Sequence, residues 1–130
     1  MSLATPTFDF DSPGLCDRLQ DLPTDALDAL PFGVIGFDAS GSIVRYNRYE
    51  VDAAMFERDA VIGQHVFVEL APCFNNYLIA GRFDEAAEQQ QVLDESLPYV
   101  LSFRMRPTRV RLRLLADPAL AWRFVLVLRS

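Results

Sequence analysis

Residues 32–47 read FGVIGFDASGSIVRYN, and this stretch decides the fold class. Two runs rich in branched and aromatic side chains, 33–38 and 42–46, flank the tetrapeptide Asp38-Ala39-Ser40-Gly41. Asp, Ser and Gly favour tight turns, and Gly41 can take the positive φ that such turns often need. The stretch therefore predicts a β-hairpin.

Helices surround this hairpin along the chain. Ser12-Pro13 is typical of a helix start, with Ser as the cap and Pro as the first helical residue. A second helix is predicted over 23–30 with Thr24 as its cap. Further helices are predicted over 47–57, 59–62 and 75–90, and in the last of these Leu78, Phe83 and Ala86 share one face.

The last third of the chain changes to the period of strands. Three strands are predicted, over 98–107, 108–117 and 120–130. In the middle one, arginines at 109, 111 and 113 alternate with apolar residues, which indicates one arginine face and one apolar face. The arginine face is either solvated or a contact for the acidic N-terminal segment that carries Asp9, Asp11 and Asp17. The sum is an α+β domain built on an antiparallel sheet.

Composition excludes several classes of protein. The 130 residues are 51% hydrophobic and carry a net charge of −6, which predicts one packed domain and disfavours a nucleic-acid partner. No apolar run approaches the roughly 20 residues of a membrane helix. Two cysteines, Cys16 and Cys73, are too few for a disulfide framework, so we expect free thiols in a cytoplasmic protein.

Most familiar chemical sites are missing from the sequence. One histidine and two distant cysteines do not make a typical zinc site, and no glycine loop has phosphate-binding spacing. A nucleophile pair of Cys73 with His65 lacks a third member, so His65 is expected to be a structural polar residue. Tyr46 and Glu50, four residues apart, can face one site. They are equally typical of an ordinary helix surface, and Cys73 after Pro72 is equally typical of a small core residue.

Several segments together resemble the photoactive yellow protein family, the light-sensing members of the PAS superfamily. They are LPFGVIGFDASGSIVRYN (30–47), VIGQHVFVELAPC (61–73), GRF (81–83), FRMRPTRV (103–110) and WRFV (122–125). The resemblance runs from about residue 26 to the end. It implies a five-stranded antiparallel sheet with helices on one face and an N-terminal helical cap. It also implies a division into a cap segment, 1–25, and a photosensory domain, 26–130.

The resemblance implies a pigment as well. A 4-hydroxycinnamoyl (p-coumaroyl) group would be joined to Cys73 through a thioester, with Tyr46 and Glu50 hydrogen-bonded to its phenolate. The pocket would be lined or closed by Ile35, Ala71, Pro72 and Met105. Light would isomerise the pigment, Glu50 would lose its proton to the phenolate, and the N-terminal helices would loosen. A Cys73 beside a helix N-terminus is expected to have a lowered pKa, whereas burial is expected to favour neutral Glu50.

Three positions depart from the family pattern. Ala54 stands where the family has a hydroxyl residue, Phe56 where it has a pocket-covering arginine, and Phe103 where well-known members have tyrosine. These changes predict a smaller phenolate network, an apolar lid and altered colour and recovery. Protein made without the activated pigment precursor would have an empty pocket and a free Cys73 thiol.

A second hypothesis is a PAS module that binds another small ligand, or none, and acts in dimerisation or signal relay. An enzyme is a distant third. A flavin sensor of the LOV type lacks its Asn-Cys-Arg-Phe-Leu-Gln signature, and a haem sensor would have to depend on His65. The expected partner is a downstream signalling protein or a fused effector domain, and homodimerisation remains open.

Overall fold

The computed structural model describes residues 8–102 and 107–129. Its helices are α1 (Leu15–Asp21), α2 (Thr24–Asp28), α3 (Arg48–Ala54), α4 (Arg58–Val61) and α5 (Ala80–Gln89). A single π-turn (Val66–Leu70) and a 3₁₀ turn (Pro72–Phe74) lie between α4 and α5. The strands are β1 (Gly33–Phe37), β2 (Ile43–Tyr46), β3 (Leu93–Leu101), β4 (Thr108–Ala116) and β5 (Arg123–Arg129).

The five strands form one antiparallel sheet in the order β2-β1-β5-β4-β3. This confirms the predicted fold class. The hairpin forms as expected: Gly41 has φ 87°, and its N–H donates to the Asp38 carbonyl at 3.0 Å. The Asp38 carboxylate also accepts from the Ser40 and Ser42 N–H groups at 2.9 and 3.1 Å. The turn is therefore specified locally.

Both faces of the sheet are covered. On one face, Ile35, Leu112 and Val125 pack with the apolar sides of α3, α4 and α5. On the other, Val34, Phe124 and Leu126 pack with residues of α1 and α2. Because each strand alternates its side chains between faces, β1, β4 and β5 supply both clusters, and β1 is wholly and the other two mostly buried. The N-terminal helices thus cap the second face, as the resemblance implied.

Arg113 ties this cap to the sheet. Its side chain is buried, and its Nη1 donates to the main-chain carbonyls of Phe10 and Ser12 at 2.9 and 2.7 Å. Its Nε and Nη2 donate to the Asp94 carboxylate at 2.8 and 2.9 Å. The contact interpretation of the arginine face is therefore correct at Arg113. Arg111 meets Asp11 at 3.6 Å with both side chains exposed, which is a weak interaction.

Several predicted element boundaries are wrong for local reasons. Helix α1 begins at Leu15 after Gly14, whose φ is 71°, while the Ser12 hydroxyl accepts from Asp9 N–H instead of capping a helix. Thr24 is the first residue of α2 and its side chain makes no capping hydrogen bond. Helix α5 begins five residues later than 75, because Asn76 Oδ1 accepts from the Leu78 and Ile79 N–H groups and forms a turn.

Two further corrections concern burial and length. Leu78 lies in that turn and is exposed, whereas Phe83 and Ala86 are buried as predicted. Strand β3 begins at Leu93, before the predicted 98. The prediction missed its first residues because exposed polar side chains follow Leu93 and hide the alternation typical of a strand. Across the described residues, every helix is too short or too polar to span a lipid bilayer.

Candidate functional site

Asn47 orients the helix that carries Glu50. It is fully buried, and its Nδ2 donates to the carbonyls of Leu27 and Phe32 at 3.1 and 2.9 Å. Its Oδ1 accepts from Val34 N–H at 2.9 Å and from Glu50 N–H at 3.4 Å, which caps α3. Each polar group of the side chain is therefore bonded, and the start of α3 is held against β1 and α2.

Tyr46 contacts the main chain of Glu50, four residues along the chain, and that the two side chains face one site stays a prediction. Tyr46 ends β2, pairs in register with Ile35 and is 2% exposed, and Glu50 is 1% exposed. The Tyr46 hydroxyl lies 3.4 Å from the Glu50 carbonyl oxygen, a long hydrogen bond within the helix turn. A buried phenol and a buried carboxyl group therefore occupy the same corner of the domain.

The Glu50 carboxylate pairs with Arg129 at the end of β5. Arg129 Nη1 donates to Oε1 at 2.5 Å, and Nη2 lies 3.4 Å from Oε2. The carboxylate lies directly over Gly33, where an added Cβ would stand 2.0 Å from Oε1. Strand β1 therefore needs a glycine at this position for the ion pair to form.

Tyr49 supports the arginine of this pair. Its hydroxyl accepts the main-chain N–H of Arg129 at 3.0 Å, and the guanidinium lies 5.7 Å from the centre of the Tyr49 ring. Among the described residues, the charged group bonded to Glu50 thus comes from β5, with phenols from β2 and α3 beside the pair. Burial raises the pKa of Glu50, and the hydrogen bond and charge of Arg129 oppose that rise. Burial and the Glu50 charge raise the pKa of Tyr46.

Cys73 lies in the middle of the 3₁₀ turn. Its side chain is half-buried and forms no disulfide bond. Its carbonyl oxygen accepts from the Tyr99 hydroxyl at 2.5 Å and from Asn76 Nδ2 at 3.1 Å. Asn76 Nδ2 also donates to the Tyr99 oxygen at 2.7 Å. Strand β3 thereby holds the backbone of the turn in place.

The expected lowering of the Cys73 pKa is wrong. Burial raises the pKa of this thiol, and main-chain hydrogen bonds from Ser102 and Cys73 itself oppose the rise only in part. The reason is local, since the turn spans three residues and has no long helix dipole to stabilise a thiolate. Burial also raises the pKa of Cys16, to about 11.

The other predicted pocket residues fall into three groups. Ile35, Tyr46 and Ala71 are buried in one apolar cluster, and Phe56 and Cys73 pack against it. Ala54, the last residue of α3, is buried, and Pro72 is exposed at the first position of the turn. Phe103 and Met105 lie outside the described residues.

The residue types present suit a covalent phenolic acyl group. A free thiol packs against an apolar cluster. In the same cluster Tyr46 has a buried hydroxyl that makes a long hydrogen bond to the Glu50 carbonyl, and the carboxyl group of Glu50 is also buried. Such a donor set suits a phenol or phenolate in a dry environment, where charge must be met by hydrogen bonds.

His65 has the structural role expected of it. Its Nδ1 accepts from Phe67 N–H at 3.1 Å, its own N–H donates to Glu69 Oε1 at 2.9 Å, and it starts the π-turn. Within 8–102 and 107–129, no group of three or more His, Cys, Asp or Glu residues is placed to hold a metal ion.

Four residues around the site were not predicted from the sequence: Asn47, Asn76, Tyr99 and Arg129. Asn47 had a local signal, since Asn before a helix is a preferred cap. Arg129 had no local sequence signal, because its contact with Glu50 spans 79 positions of the chain. Tyr99 and Asn76 meet only when β3 is placed beside the 3₁₀ turn.

Comparisons with known proteins agree with this geometry. A family model described as the PAS fold matches residues 27–128. The photoactive yellow protein of Halochromatium salexigens is 32% identical over 105 residues, which cover 81% of this chain and 83% of that protein. The one from Rhodothalassium salexigens is 31% identical over 98 residues, covering 75% and 78%. The photoactive yellow protein domain of the sensor histidine kinase Ppr from Rhodospirillum centenum superposes with a TM-score of 0.75 at 36% identity, covering 82% and 92%.

Proposed function

Because the chain belongs to the photoactive yellow protein family of PAS domains, we propose that it is a blue-light receptor domain with a thioester-linked 4-hydroxycinnamoyl group on Cys73. One observation carries the proposal beyond family membership. A free thiol packs against the apolar cluster that contains the buried Tyr46, and the buried Glu50 follows Tyr46 by four residues. This combination supplies an acyl acceptor and polar partners for a phenol.

Attachment uses the Cys73 sulfur as the nucleophile and an activated acyl donor, such as an anhydride or a thioester of 4-hydroxycinnamic acid. The thiol proton goes to solvent, the Sγ–carbon bond forms, and the bond to the leaving group breaks with its electron pair. Burial raises the pKa of Cys73, which lowers its thiolate fraction. The donor must be activated because a free carboxylate has no good leaving group. The hydrogen bonds from Tyr99 and Asn76 keep the Cys73 backbone fixed during attachment.

When bound, the group supplies a light-isomerisable double bond and a phenol that can gain or lose a proton. Tyr46 donates its hydroxyl hydrogen to the phenolate oxygen, and neutral Glu50 donates the second hydrogen bond. Loss of the Glu50 proton leaves a carboxylate that is 1% exposed, a form that burial disfavours. Phe56 replaces the usual arginine with an apolar ring packed against the same cluster.

The route from Glu50 to the N-terminal cap passes through Asn47. Asn47 caps the turn that contains Glu50 and binds the Leu27 carbonyl in α2. Leu27 belongs to the apolar cluster that holds α1 and α2 on the second face of the sheet. A charge change at Glu50 therefore acts on a helix turn bonded to α2, which packs with α1 on the second face of the sheet. We assign residues 1–25 to this cap segment and 26–130 to the photosensory domain.

The signal passes to a downstream protein or to an effector domain on the same polypeptide. The photoactive yellow protein domain that resembles this chain belongs to a sensor histidine kinase. The role proposed here is accordingly that of a signal-input domain rather than an enzyme.

The test is reconstitution with activated 4-hydroxycinnamic acid, followed by absorbance spectroscopy in blue light and in darkness. The proposal expects a visible band that bleaches under light and recovers in darkness. A matched sample loaded with activated cinnamic acid, which lacks the phenol, should bind without a visible band. A loaded protein without any light response would refute the photoreceptor function and favour a PAS module for another ligand.

A further inference from the structure

The Glu50–Arg129 ion pair is nearly enclosed by protein. The side chains are 1% and 16% exposed, and their closest nitrogen and oxygen atoms are 2.5 Å apart. An ion pair at this depth is screened by solvent far less than one on the surface, so each partner strongly affects the protonation of the other. Removal of one partner would leave the other buried and uncompensated.

The surroundings of the pair are built to hold it. Gly33 leaves the space that the carboxylate occupies. Tyr49 binds the Arg129 main chain and lies under its guanidinium. Gly33 and Val127 face each other in the β1–β5 register, so the backbone beside the Glu50 carboxylate is paired with the strand that carries Arg129. The contact therefore joins helix α3, which carries Glu50, to the central sheet.

The position of Arg129 differs from that of the arginine which the family resemblance placed near the pocket. That position holds Phe56, which is half-buried and apolar. Arg129 approaches from the end of β5, and its Nη1 donates to the Glu50 carboxylate. The positive charge in this chain thus bears on the carboxyl group directly.

We infer that Arg129 is the counter-charge of Glu50, and that it sets where the proton shared by Glu50 and a bound phenol resides. The second half of this inference rests on the proposed function, whereas the first half concerns the pigment-free protein alone. Arg129 favours the Glu50 carboxylate. It thereby opposes the state in which Glu50 is neutral and the phenol is ionised. Arg129 is a positioning residue, since it acts through Glu50.

Groups from four elements lie around the ion pair. Arg129 of β5 bonds the Glu50 carboxylate, Tyr46 of β2 bonds the Glu50 carbonyl, the ring of Tyr49 in α3 contacts the Arg129 guanidinium, and the β1 backbone at Gly33 lies beside the carboxylate. Since burial raises the pKa of Tyr46, that phenol remains neutral across the range in which Glu50 titrates. Arg129 is therefore the one charged group among these neighbours.

The first arm of the test uses pigment-free protein labelled with ¹³C at the glutamate carboxyl carbons. Nuclear magnetic resonance (NMR) follows the carboxyl signal of Glu50 with pH, and Glu50→Gln identifies it. Arg129→Gln should raise the titration midpoint of Glu50 by about 1–3 pH units, the size of effect an adjacent opposite charge produces. Arg129→Lys should restore part of the shift. The control Arg109→Gln removes an exposed arginine of β4 and should leave the midpoint unchanged.

The second arm uses protein loaded with the 4-hydroxycinnamoyl group. The absorbance change between phenol and phenolate is titrated in wild type, Arg129→Gln and Arg109→Gln. The phenolate of Arg129→Gln should persist to lower pH than that of wild type. The reason is that a neutral Glu50 donates a hydrogen bond to it instead of repelling it.

The two arms separate the two claims. If no variant takes up pigment, the proposed function fails while the NMR titration still decides the role of Arg129. An unchanged Glu50 midpoint in Arg129→Gln would overturn the inference whether or not pigment binds. Should Arg129→Gln fail to fold, Arg129→Met decides in its place, because it also removes the charge and a midpoint equal to that of Arg109→Gln would overturn the inference.

Discussion

The Tyr99 hydroxyl on β3 donates to the main-chain carbonyl of Cys73 at 2.5 Å. The sheet edge therefore holds the turn that presents the thiol. The Tyr99 ring also packs edge-on against Phe74 at 5.7 Å between ring centres, so the same side chain buries apolar surface beside the turn.

Removal of this hydrogen bond should loosen the turn. Tyr99→Phe keeps the ring and leaves only Asn76 on the Cys73 carbonyl, so the free energy of unfolding should fall by about 1 kcal/mol. Urea unfolding measures the change. Tyr77→Phe is the matched control, because Tyr77 is 80% exposed and should lose almost nothing. Equal losses in both variants would contradict the role given to Tyr99.

The cap should depend on Arg113 more than on the acidic side chains near it. Arg113→Gln deprives the carbonyls of Phe10 and Ser12 of their donor, at a cost of about 1–3 kcal/mol. Asp11→Asn breaks only an exposed contact of 3.6 Å, which is worth about 0–1 kcal/mol. Hydrogen exchange should report faster exchange over residues 8–22 in the first variant alone. The same effect in Asp11→Asn would mean that side-chain charge holds the cap.

Gly33 should tolerate no larger residue. Gly33→Ala places a Cβ 2.0 Å from Glu50 Oε1 in a buried strand, so the carboxylate must move and the free energy of unfolding should fall by about 1–3 kcal/mol. Gly81→Ala serves as the control. Its Cβ would stand 3.3 Å from Tyr77 Cβ within a helix, where alanine is the better helix former. The midpoint temperature of thermal unfolding should fall in Gly33→Ala and should fall much less, or rise, in Gly81→Ala.

Glu50 should make stability depend on pH. Its folded pKa is raised above the ordinary value of 4.5, so the folded state holds the proton more tightly than the unfolded state does. Stability is thus lost as pH rises from about 4.5 through the folded pKa. Glu50→Gln does not titrate, and it leaves Arg129 charged at every pH. Relative to wild type, the variant should therefore gain stability as pH increases.

Urea unfolding between about pH 4 and 8 measures this difference. Asp52→Asn, an exposed change on the same helix, is the control. Parallel curves for wild type and Glu50→Gln would contradict the raised pKa.

Local chemistry explains which parts of the fold could be predicted from the sequence. The hairpin turn at Asp38–Gly41 is held by hydrogen bonds among its own residues, so its sequence was sufficient. The alternation at 109–114 correctly indicated a strand. It could not show that Arg113 is buried, because that burial depends on a segment about 100 positions away.

The site was predicted in part for the same reason. The four-residue spacing brought Tyr46 and Glu50 together through a single helix turn. The partner of Glu50 was missed because β5 lies beside β1 only in the folded sheet. The Cys73 pKa was predicted in the wrong direction because a residue pattern does not distinguish a long helix from a three-residue turn. Phe103 and Met105 lie outside the described residues, so their place near the site stays a prediction.

The central claim is that Cys73 carries the pigment, and intact mass spectrometry tests it most directly. Wild type, Cys73→Ala and Cys16→Ala are each mixed with the anhydride of 4-hydroxycinnamic acid, and the labelled peptide is then mapped. Both cysteines are half-buried thiols whose pKa is raised by burial, so Cys16 is a matched control. The account predicts one acyl group on wild type and on Cys16→Ala, and none on Cys73→Ala. Labelling that survives in Cys73→Ala, or wild type that takes up no acyl group, would contradict it.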